Sequence, residues 1–390
     1  MNTLELIFWI SLFILFYTYL GYGILLFFLV KIKELFTKPK VYPCDELPDV
    51  TLFVAAYNEE KIVHEKMENI HALHYPKEKL HLVWCTDGSN DRTNELLANY
   101  PDAKVLFQPL RQGKTAALNR GVPLLSTSIV VFTDANTMLN KEAIYEIARC
   151  FCNPNVGCVA GEKRIAVKET DGAAAGGEGL YWKYESLLKK LDSRLCTAVG
   201  AAGELFAIRR EFFQPMPNDT LLDDFILSLR IAMQGYKIEY CDKAYAEESG
   251  SADMKEEEKR KVRISAGGLQ SILRLKSLLN PFAYGCLSFQ YISHRVLRWS
   301  LAPILLFFFL PLHIATLLTS ENPLYGQLFL LQILFYVLGL WGYYLSTKQI
   351  KNKFLYIPYY FLFMNINVIR GFNYLRKKRG SGVWEKATRA

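Results

Sequence analysis

From Leu4 to Val30 the chain is continuously apolar, with Glu5 as its single charge. Such a run is long enough to cross the roughly 30 Å hydrocarbon layer of a membrane as a helix. A cleaved secretion signal would begin with a cationic segment, carry a shorter apolar stretch and end in a small-residue site, and this segment has none of these. Residues 1–35 therefore read as a retained anchor. Lys31, Lys33, Lys38 and Lys40 follow directly. Basic residues concentrate on the cytoplasmic side of membrane spans, so the segment after the anchor is expected in the cytoplasm.

The apolar residues cluster again late in the chain. Trp299 to Leu318 and Leu324 to Leu345 are span-like and are separated by the polar turn Thr319–Pro323. Lys348, Lys351 and Lys353 then mark a return to the first side. Phe354 to Leu375 is apolar but carries Pro358, Asn365, Asn367, Arg370 and Asn373, and it ends in Arg376-Lys-Lys-Arg379. A fourth crossing would put that basic run on the wrong side, so an interfacial or re-entrant segment and a rule-breaking span both stay open. Residues 276–298 interleave aromatic residues with His294, Arg295 and Arg298. They fit either an amphipathic segment on the membrane or an ordinary surface helix of the domain before it. The expected organisation is an anchor at 1–35, a globular domain at 48–275, an interfacial stretch at 276–298, membrane helices at 299–375 and a basic tail at 376–390.

The net charge of the 390 residues is +8, and the basic residues lie beside the apolar runs. That placement suits an anionic membrane surface, and no concentrated basic stripe suggests nucleic acid as a partner. Few spans and no paired charges within them argue against a transporter. The eight cysteines contain no C-x-x-C pair to seed a zinc site. They read as inert thiols of a reducing compartment, and a disulfide in the domain would argue against the cytoplasmic placement.

Between the anchors, short apolar strands alternate with helices. Val50–Ala55, Leu80–Cys85, Ala103–Phe107 and Ile129–Thr133 read as strands. Helices are expected over 61–73, over 90–99 and from Lys114. This alternation predicts an α/β domain whose mostly parallel sheet is covered on both faces. Ligands of such sheets bind at the carboxyl ends of the strands. Tyr57-Asn58-Glu59, Asp87-Gly88-Ser89-Asn90-Asp91 and Asp134-Ala135-Asn136 stand at three of those ends, which points to a shared site. One of the group, Asn90 or Asp91, also suits a helix cap. Gly113-Lys114-Thr115 is not the end of a phosphate-binding P-loop, because Gln108 stands where that motif needs its first glycine. Spacing alone makes Lys114 a solvated surface lysine, although it opens a helix and could meet a phosphate there.

Taken together, Val54-Ala-Ala-Tyr-Asn-Glu59, Thr86-Asp-Gly-Ser-Asn-Asp-Arg-Thr93, Gly113-Lys-Thr-Ala-Ala-Leu-Asn119, Asp134-Ala-Asn136 and Leu221-Leu-Asp-Asp224 resemble, in order and spacing, the family 2 glycosyltransferases. The likeness extends to the late membrane helices and the tail around Trp384, and it is greatest to the membrane-bound synthases of hyaluronan, chitin, cellulose and poly-N-acetylglucosamine. The resemblance implies a GT-A fold and an inverting transfer from a nucleotide-sugar, with UDP the expected nucleotide. It implies that Ala55, Tyr57 and Glu59 flank the base and ribose, that Asp87 meets the uracil side and that Lys114 lies near the nucleotide. It places Asp134 and Asn136 at a Mg²⁺ or Mn²⁺ ion, and Asp224 as the general base with Asp223 before it. Capping the following helix is the plainer role for Asp223 and Asp224, and it is compatible with catalysis.

Two departures from the family pattern matter. The metal motif has Asn136 where a second aspartate is usual. The Q-x-x-R-W of the processive synthases is here Arg260-Lys-Val-Arg263-Ile264, which keeps Arg263 as a forked donor but lacks the stacking tryptophan. Arg260 and Arg263 are carried as substrate-binding candidates. The expectation is transfer to a lipid-linked or glycan acceptor in cell-surface polysaccharide synthesis, by an inner-membrane enzyme with a cytoplasmic catalytic domain. The alternatives are a processive synthase and an inactive, membrane-anchored nucleotide-sugar-binding protein.

Overall fold

The computed structural model describes residues 2–38, 40, 42–44, 46–166, 173–250, 254–348, 350 and 352–377, leaving the tail around Trp384 outside the described residues. The N-terminal run forms α1 (Thr3–Phe16) and α2 (Tyr22–Phe36), continuous through a π turn at Tyr17–Gly21. A capping box between Asn2 and Glu5 satisfies the first amides of α1. A lysine in the last turn of α2 ties that helix to the domain. Lys33 Nζ donates to Arg194 O at 3.0 Å and Leu195 O at 2.7 Å, the last carbonyls of the long helix α7 (Ala173–Leu195).

The sheet has the order β3-β2-β1-β4-β7-β6-β8-β5. Its first half is β1 (Val50–Ala56), β2 (Leu80–Asp87), β3 (Ala103–Gln108) and β4 (Ile129–Asp134), all parallel. The second half is mixed. β5 (Met138–Leu139) and β7 (Leu205–Arg209) run antiparallel to their neighbours, and β6 (Val156–Ala166) pairs in parallel with β8 (Lys237–Ser249). Side chains alternate between the faces, as the pleat requires. Phe53, Val83, Val130 and Phe132 join one core, and Leu52, Val54, Trp84 and Val131 join the other. α5 (Lys114–Gly121) and α8 (Asp223–Met233) cover the first face, while α3 (Val63–His71) and α6 (Ala143–Cys150) cover the second. The expected double cover is present. The helices are shorter than the sequence suggests, α4 being only Thr93–Leu97.

Beyond the sheet, α9 (Met254–Arg274) and α10 (Pro281–Tyr291) lead through a π turn at Ile292–Val296 into α11 (Leu297–Trp299). α12 (Leu301–Thr319) and α13 (Pro323–Thr347) are the two late apolar helices. With Thr3–Phe36 they make three helices long and apolar enough to cross a membrane among the described residues. Their far ends meet, since Ser320 Oγ donates to Glu5 Oε1 at 2.8 Å.

The segment left open in the sequence, α14 (Lys353–Lys377), is not one of the three. It packs along α9, with Tyr360 donating to Glu257 at 3.0 Å and Gly371 set against Ser265. Residues 276–298 also differ from a surface-lying amphipathic segment. His294 and Arg295 are buried, facing Glu185 and Asp192 of α7 rather than solvent. A further correction concerns the cysteines. Cys44 and Cys152 are joined in a disulfide, their Cα atoms 5.5 Å apart, so not all eight are free thiols. Spacing in the sequence could not show this, because the bond closes a separation of 108 residues.

Candidate active site

The parallel register sets one rim. Ala55 pairs with Asp134 across β1 and β4, and with Cys85 across β1 and β2, so the carboxyl ends of these strands lie side by side. β7 enters antiparallel, with Leu205 opposite Thr133, and brings the loop Ala201–Glu204 to the same rim. Thr133 Oγ1 ties that loop down by donating to Glu204 O at 3.0 Å. The first turn of α8 brings Asp223 and Asp224 to the rim from the other side. A cavity of about 1180 Å³ opens there.

Lys114 stands at its centre. Nζ lies 2.6 Å from Asp134 Oδ1, and Asp223 and Asp224 are close enough to act on its charge. Burial opposes the ammonium, but the three carboxylates outweigh it and hold the group protonated. Its expectation as a solvated surface residue is therefore corrected, because β4 carries Asp134 to the start of α5. Gly203 lies against the same groups. A Cβ there would stand 3.2 Å from Lys114 Nζ and 3.4 Å from Asp224 Oδ2.

Asp224 is pushed up to about 7, first by burial and then by Asp223 beside it, against the opposing pull of Lys114. Helix capping does not account for the pair. Leu222 occupies the cap without a side-chain hydrogen bond, and one carboxylate oxygen of Asp223 is buried with no hydrogen-bond partner. Asp91, in contrast, has a local role. It accepts from Thr93 N at 3.0 Å and Glu60 N at 3.1 Å.

Asp87 faces the cavity and also organises it. Its Oδ2 accepts from Gln112 N at 2.8 Å and Gly113 N at 2.6 Å, which folds the loop before α5 over the rim. Ala55, Tyr57 and Glu59 line the cavity as the motif suggests. The Tyr57 ring is covered by Arg111, whose guanidinium lies 3.7 Å from the ring centroid. Arg111 belongs to no motif; only its place before Gly113 hinted at it.

Asn136 is not part of the cavity wall, whereas Asp134 is. Among the described residues no three His, Cys, Asp or Glu side chains converge as a protein-only metal cage. Asp134 alone of the pair lines the cavity as an oxygen donor of the kind that holds Mg²⁺ or Mn²⁺ jointly with substrate phosphates.

Arg260 and Arg263 line the cavity from α9. The guanidinium of Arg260 also faces Glu257 at 3.5 Å, Glu204 at 3.9 Å and Glu248 at 4.0 Å. Lys163 pairs with Glu204 and Glu248 in the same buried cluster. Burial alone would raise Glu204, but Lys163 and Arg260 hold it well below the usual carboxylate range. Sequence reasoning missed Glu204 and also Lys66. Lys66 is fully buried on α3 and donates to Thr133 Oγ1 at 3.2 Å and Thr137 O at 2.5 Å, beneath the turn that carries Asp134. Burial brings Lys66 down to about 7. A lysine within an amphipathic helix reads as exposed, so its sequence carried no sign of this.

Three comparisons bear on the arrangement. Residues 48–267 match the model of a family described as glycosyltransferase like family 2. The poly-β-1,6-N-acetyl-D-glucosamine synthase of Staphylococcus aureus is 27% identical over 267 residues, covering 65% of this chain and 62% of the relative. The synthase of the same name from Staphylococcus epidermidis is 24% identical over 239 residues, covering 59% of this chain and 57% of the relative. This chain thus spans less than two thirds of the length of these relatives. Among solved structures, a mannosyltransferase of Pyrobaculum calidifontis in complex with GDP-Man and Mn²⁺ superposes with a TM-score of 0.70. It is 21% identical, and the match covers 95% of this chain and 98% of that one, so the shared fold extends to the apolar helices.

Proposed function

The chain belongs to the family 2 glycosyltransferases and has their GT-A fold, and from that premise we propose an inverting transfer of one sugar from a nucleotide-sugar to the hydroxyl of a lipid-linked or glycan acceptor. The observation that carries this reading is the meeting of Asp224 with Lys114 and Asp134 in one cavity. A carboxyl held near neutrality is suited to take a proton from an alcohol. A lysine in the same cavity is suited to the charge that grows on a departing diphosphate.

The residues divide the work as follows. Tyr57, Glu59 and Asp87, with Arg111 over the Tyr57 ring, receive the base and ribose. Lys114 meets the diphosphate. Asp224 accepts the proton of the attacking hydroxyl, and Asp223 keeps it basic by like-charge repulsion. Asp134 is the protein donor for Mg²⁺ or Mn²⁺, with Asn136 following it. The cation supplies neutralisation of the leaving diphosphate when bound.

Ile264 in place of a stacking tryptophan favours single or limited addition. The likeness to poly-N-acetylglucosamine synthases keeps processive synthesis as the second reading. The basic residues after α2 and α13 support a cytoplasmic domain, and the Cys44–Cys152 disulfide speaks against it.

The test is to incubate the purified chain with a panel of labelled nucleotide-sugars, UDP-N-acetylglucosamine and GDP-mannose first, with native lipid extract and with or without a chelator. Release of nucleoside diphosphate with one donor, lost on chelation and regained with Mg²⁺ or Mn²⁺, is expected. Donor binding without turnover across the panel would leave a binding protein in place of an enzyme.

A further inference from the structure

The cavity does not end at the catalytic carboxylates. Its wall continues to Leu15, Phe16 and Leu20 of the N-terminal helix, Phe335 and Leu338 of α13, and Phe361 of α14. At about 1.5 Å per residue, Leu20 and Leu338 both lie on the domain side of the middle of their spans. The geometry explains the opening. α1 and α13 touch at their far ends, where Trp9 Nε1 donates to Tyr325 OH at 3.2 Å. Toward the domain Phe361 stands between them, its ring 4.6 Å from Tyr19 and 5.8 Å from Phe335. Phe16, Leu20 and Ile357 line this limb and are each about half exposed.

Between the apolar limb and Asp224 lies a junction of different character. Glu185 is its acid, facing Arg295 and Arg298, with Lys189 also in the wall. The excess of cations is buried. Arg298 Nε has no hydrogen-bond partner, and its guanidinium lies 5.5 Å from the Tyr184 ring centroid. Tyr19 and Tyr181 are within reach of the same charge, which links the junction to the membrane helix.

We propose that the acceptor is a lipid-linked saccharide that enters from the membrane, its hydrocarbon chain in the limb between α1, α13 and α14 and a phosphate-containing linkage against Arg295 and Arg298. This rests on the transferase reading given above. A glycan chain needs hydrogen-bond partners along its track, and the wall of the limb is mostly aliphatic and phenyl, with Tyr19 and Asn365 among its polar groups already bonded to each other. Hydrocarbon needs none. The limb adds little affinity, since the membrane interior is equally apolar, but it lets the carrier reach the site without leaving that interior. The junction selects an anion, because Arg295 and Arg298 share the single carboxylate of Glu185 and the unbonded Nε of Arg298 is satisfied by a charge-assisted hydrogen bond. The nucleophile itself is an alcohol, because Asp224 stands ready to take a proton that a phosphate oxygen would not carry. In the step, the saccharide oxygen forms a bond to the donor's anomeric carbon as the bond from that carbon to the diphosphate oxygen breaks. The nucleoside diphosphate leaves with the electron pair, and the hydroxyl proton passes to Asp224.

The experiment uses the full chain in nanodiscs, with the labelled donor that turns over and native membrane lipids split by anion exchange into neutral and anionic fractions. Label is expected in an organic-soluble product made from the anionic fraction alone, retained on the exchanger and released as a water-soluble saccharide by mild acid. Arg298→Gln is expected to raise KM for that fraction at least tenfold, with Arg298→Lys recovering part of it and both variants eluting as monodisperse species. Label in a neutral lipid, in a free oligosaccharide or in an ethanol-insoluble polymer overturns the proposal. Donor hydrolysis with no labelled lipid overturns it and leaves the transferase reading standing. Neither hydrolysis nor transfer with any donor removes both.

Discussion

At the end of the cavity built by β1, β2 and β4, each polar group stands where a strand stops, and its position follows from the local backbone. At the membrane end the groups come from the middle of α7, from the π turn at Ile292–Val296 and from α11, and they are held by one another. The first end keeps partly exposed charges, with Asp134 and Lys114 each about one third accessible at the side chain. The second buries Glu185 to 1% and locks it to Arg295, Arg298 and His294. Substitution at the strand ends should therefore cost rate, and substitution at the junction should cost stability.

The sharpest cut at the first end is Asp224→Asn. Removing a proton acceptor costs about 10²–10⁴ in turnover. Donor affinity measured by calorimetry should persist, because the change is nearly isosteric. Asp223→Asn should lose far less. Near-normal turnover in Asp224→Asn would remove this residue from the mechanism.

At the junction, Glu185→Gln should lower stability by about 3–5 kcal/mol, since it leaves two arginines buried without their shared partner. Thermal unfolding in detergent checks this. Arg295, His294 and Arg298 overcome the cost of burial and hold the Glu185 carboxyl well below its ordinary value. Its contribution is thus present above the ordinary carboxylate range and lost as pH falls toward its folded value. An unchanged melting temperature would break the contrast between the two ends.

Lys114→Met should reduce turnover by about 10²–10³, the usual loss when one preorganised charge is removed from a developing oxyanion. The fold should be retained, because the side chain is partly exposed. Equal losses of stability and rate would instead make Lys114 part of a structural network like that around Glu185.

The effect of pH is smaller and directional. The base acts ionised, so kcat/KM should rise with pH to a midpoint near 7, falling about tenfold per unit below it. Asp223→Asn removes the like charge and should move that midpoint down. The same shift makes stability fall as pH rises from the ordinary carboxyl range toward 7, because the folded site prefers the protonated form.

The smallest effect on activity, and the one that bears on sidedness, is thiol labelling. Cys286 is exposed on α10. An impermeant reagent should modify it only after cells are opened if the domain is cytoplasmic, and Cys44 and Cys152 should then be alkylated without prior reduction. Labelling in intact cells would move the domain across the membrane and make the disulfide its working state.

Much of the first end was legible because its information is local. Tyr57, Asp87 and Asp134 each follow an apolar strand, and a parallel sheet must bring such ends together. Asn136 was legible by type and not by place, since a two-residue offset after a strand does not say which way a side chain turns. Lys114 was named by the resemblance and not by its spacing, because its partner Asp134 lies 20 residues on and across the sheet. Arg295 and Arg298 read as part of an interfacial or surface helix, and their pairing with Glu185 had no readable pattern. They sit on separate helices, and pairings between helices have no period in the chain.

The sequence by itself determined the three apolar helices, the parallel half of the sheet and the aspartates on its rim, because hydrophobic period and strand-end chemistry act over a few residues. Tertiary structure decided the rest. It packed α14 along both α9 and α13, joined Cys44 to Cys152, and ran one cavity from Asp224 to Leu338. Each of these depends on surfaces far apart in the chain, where burial of charge and apolar area, rather than local propensity, selects the arrangement.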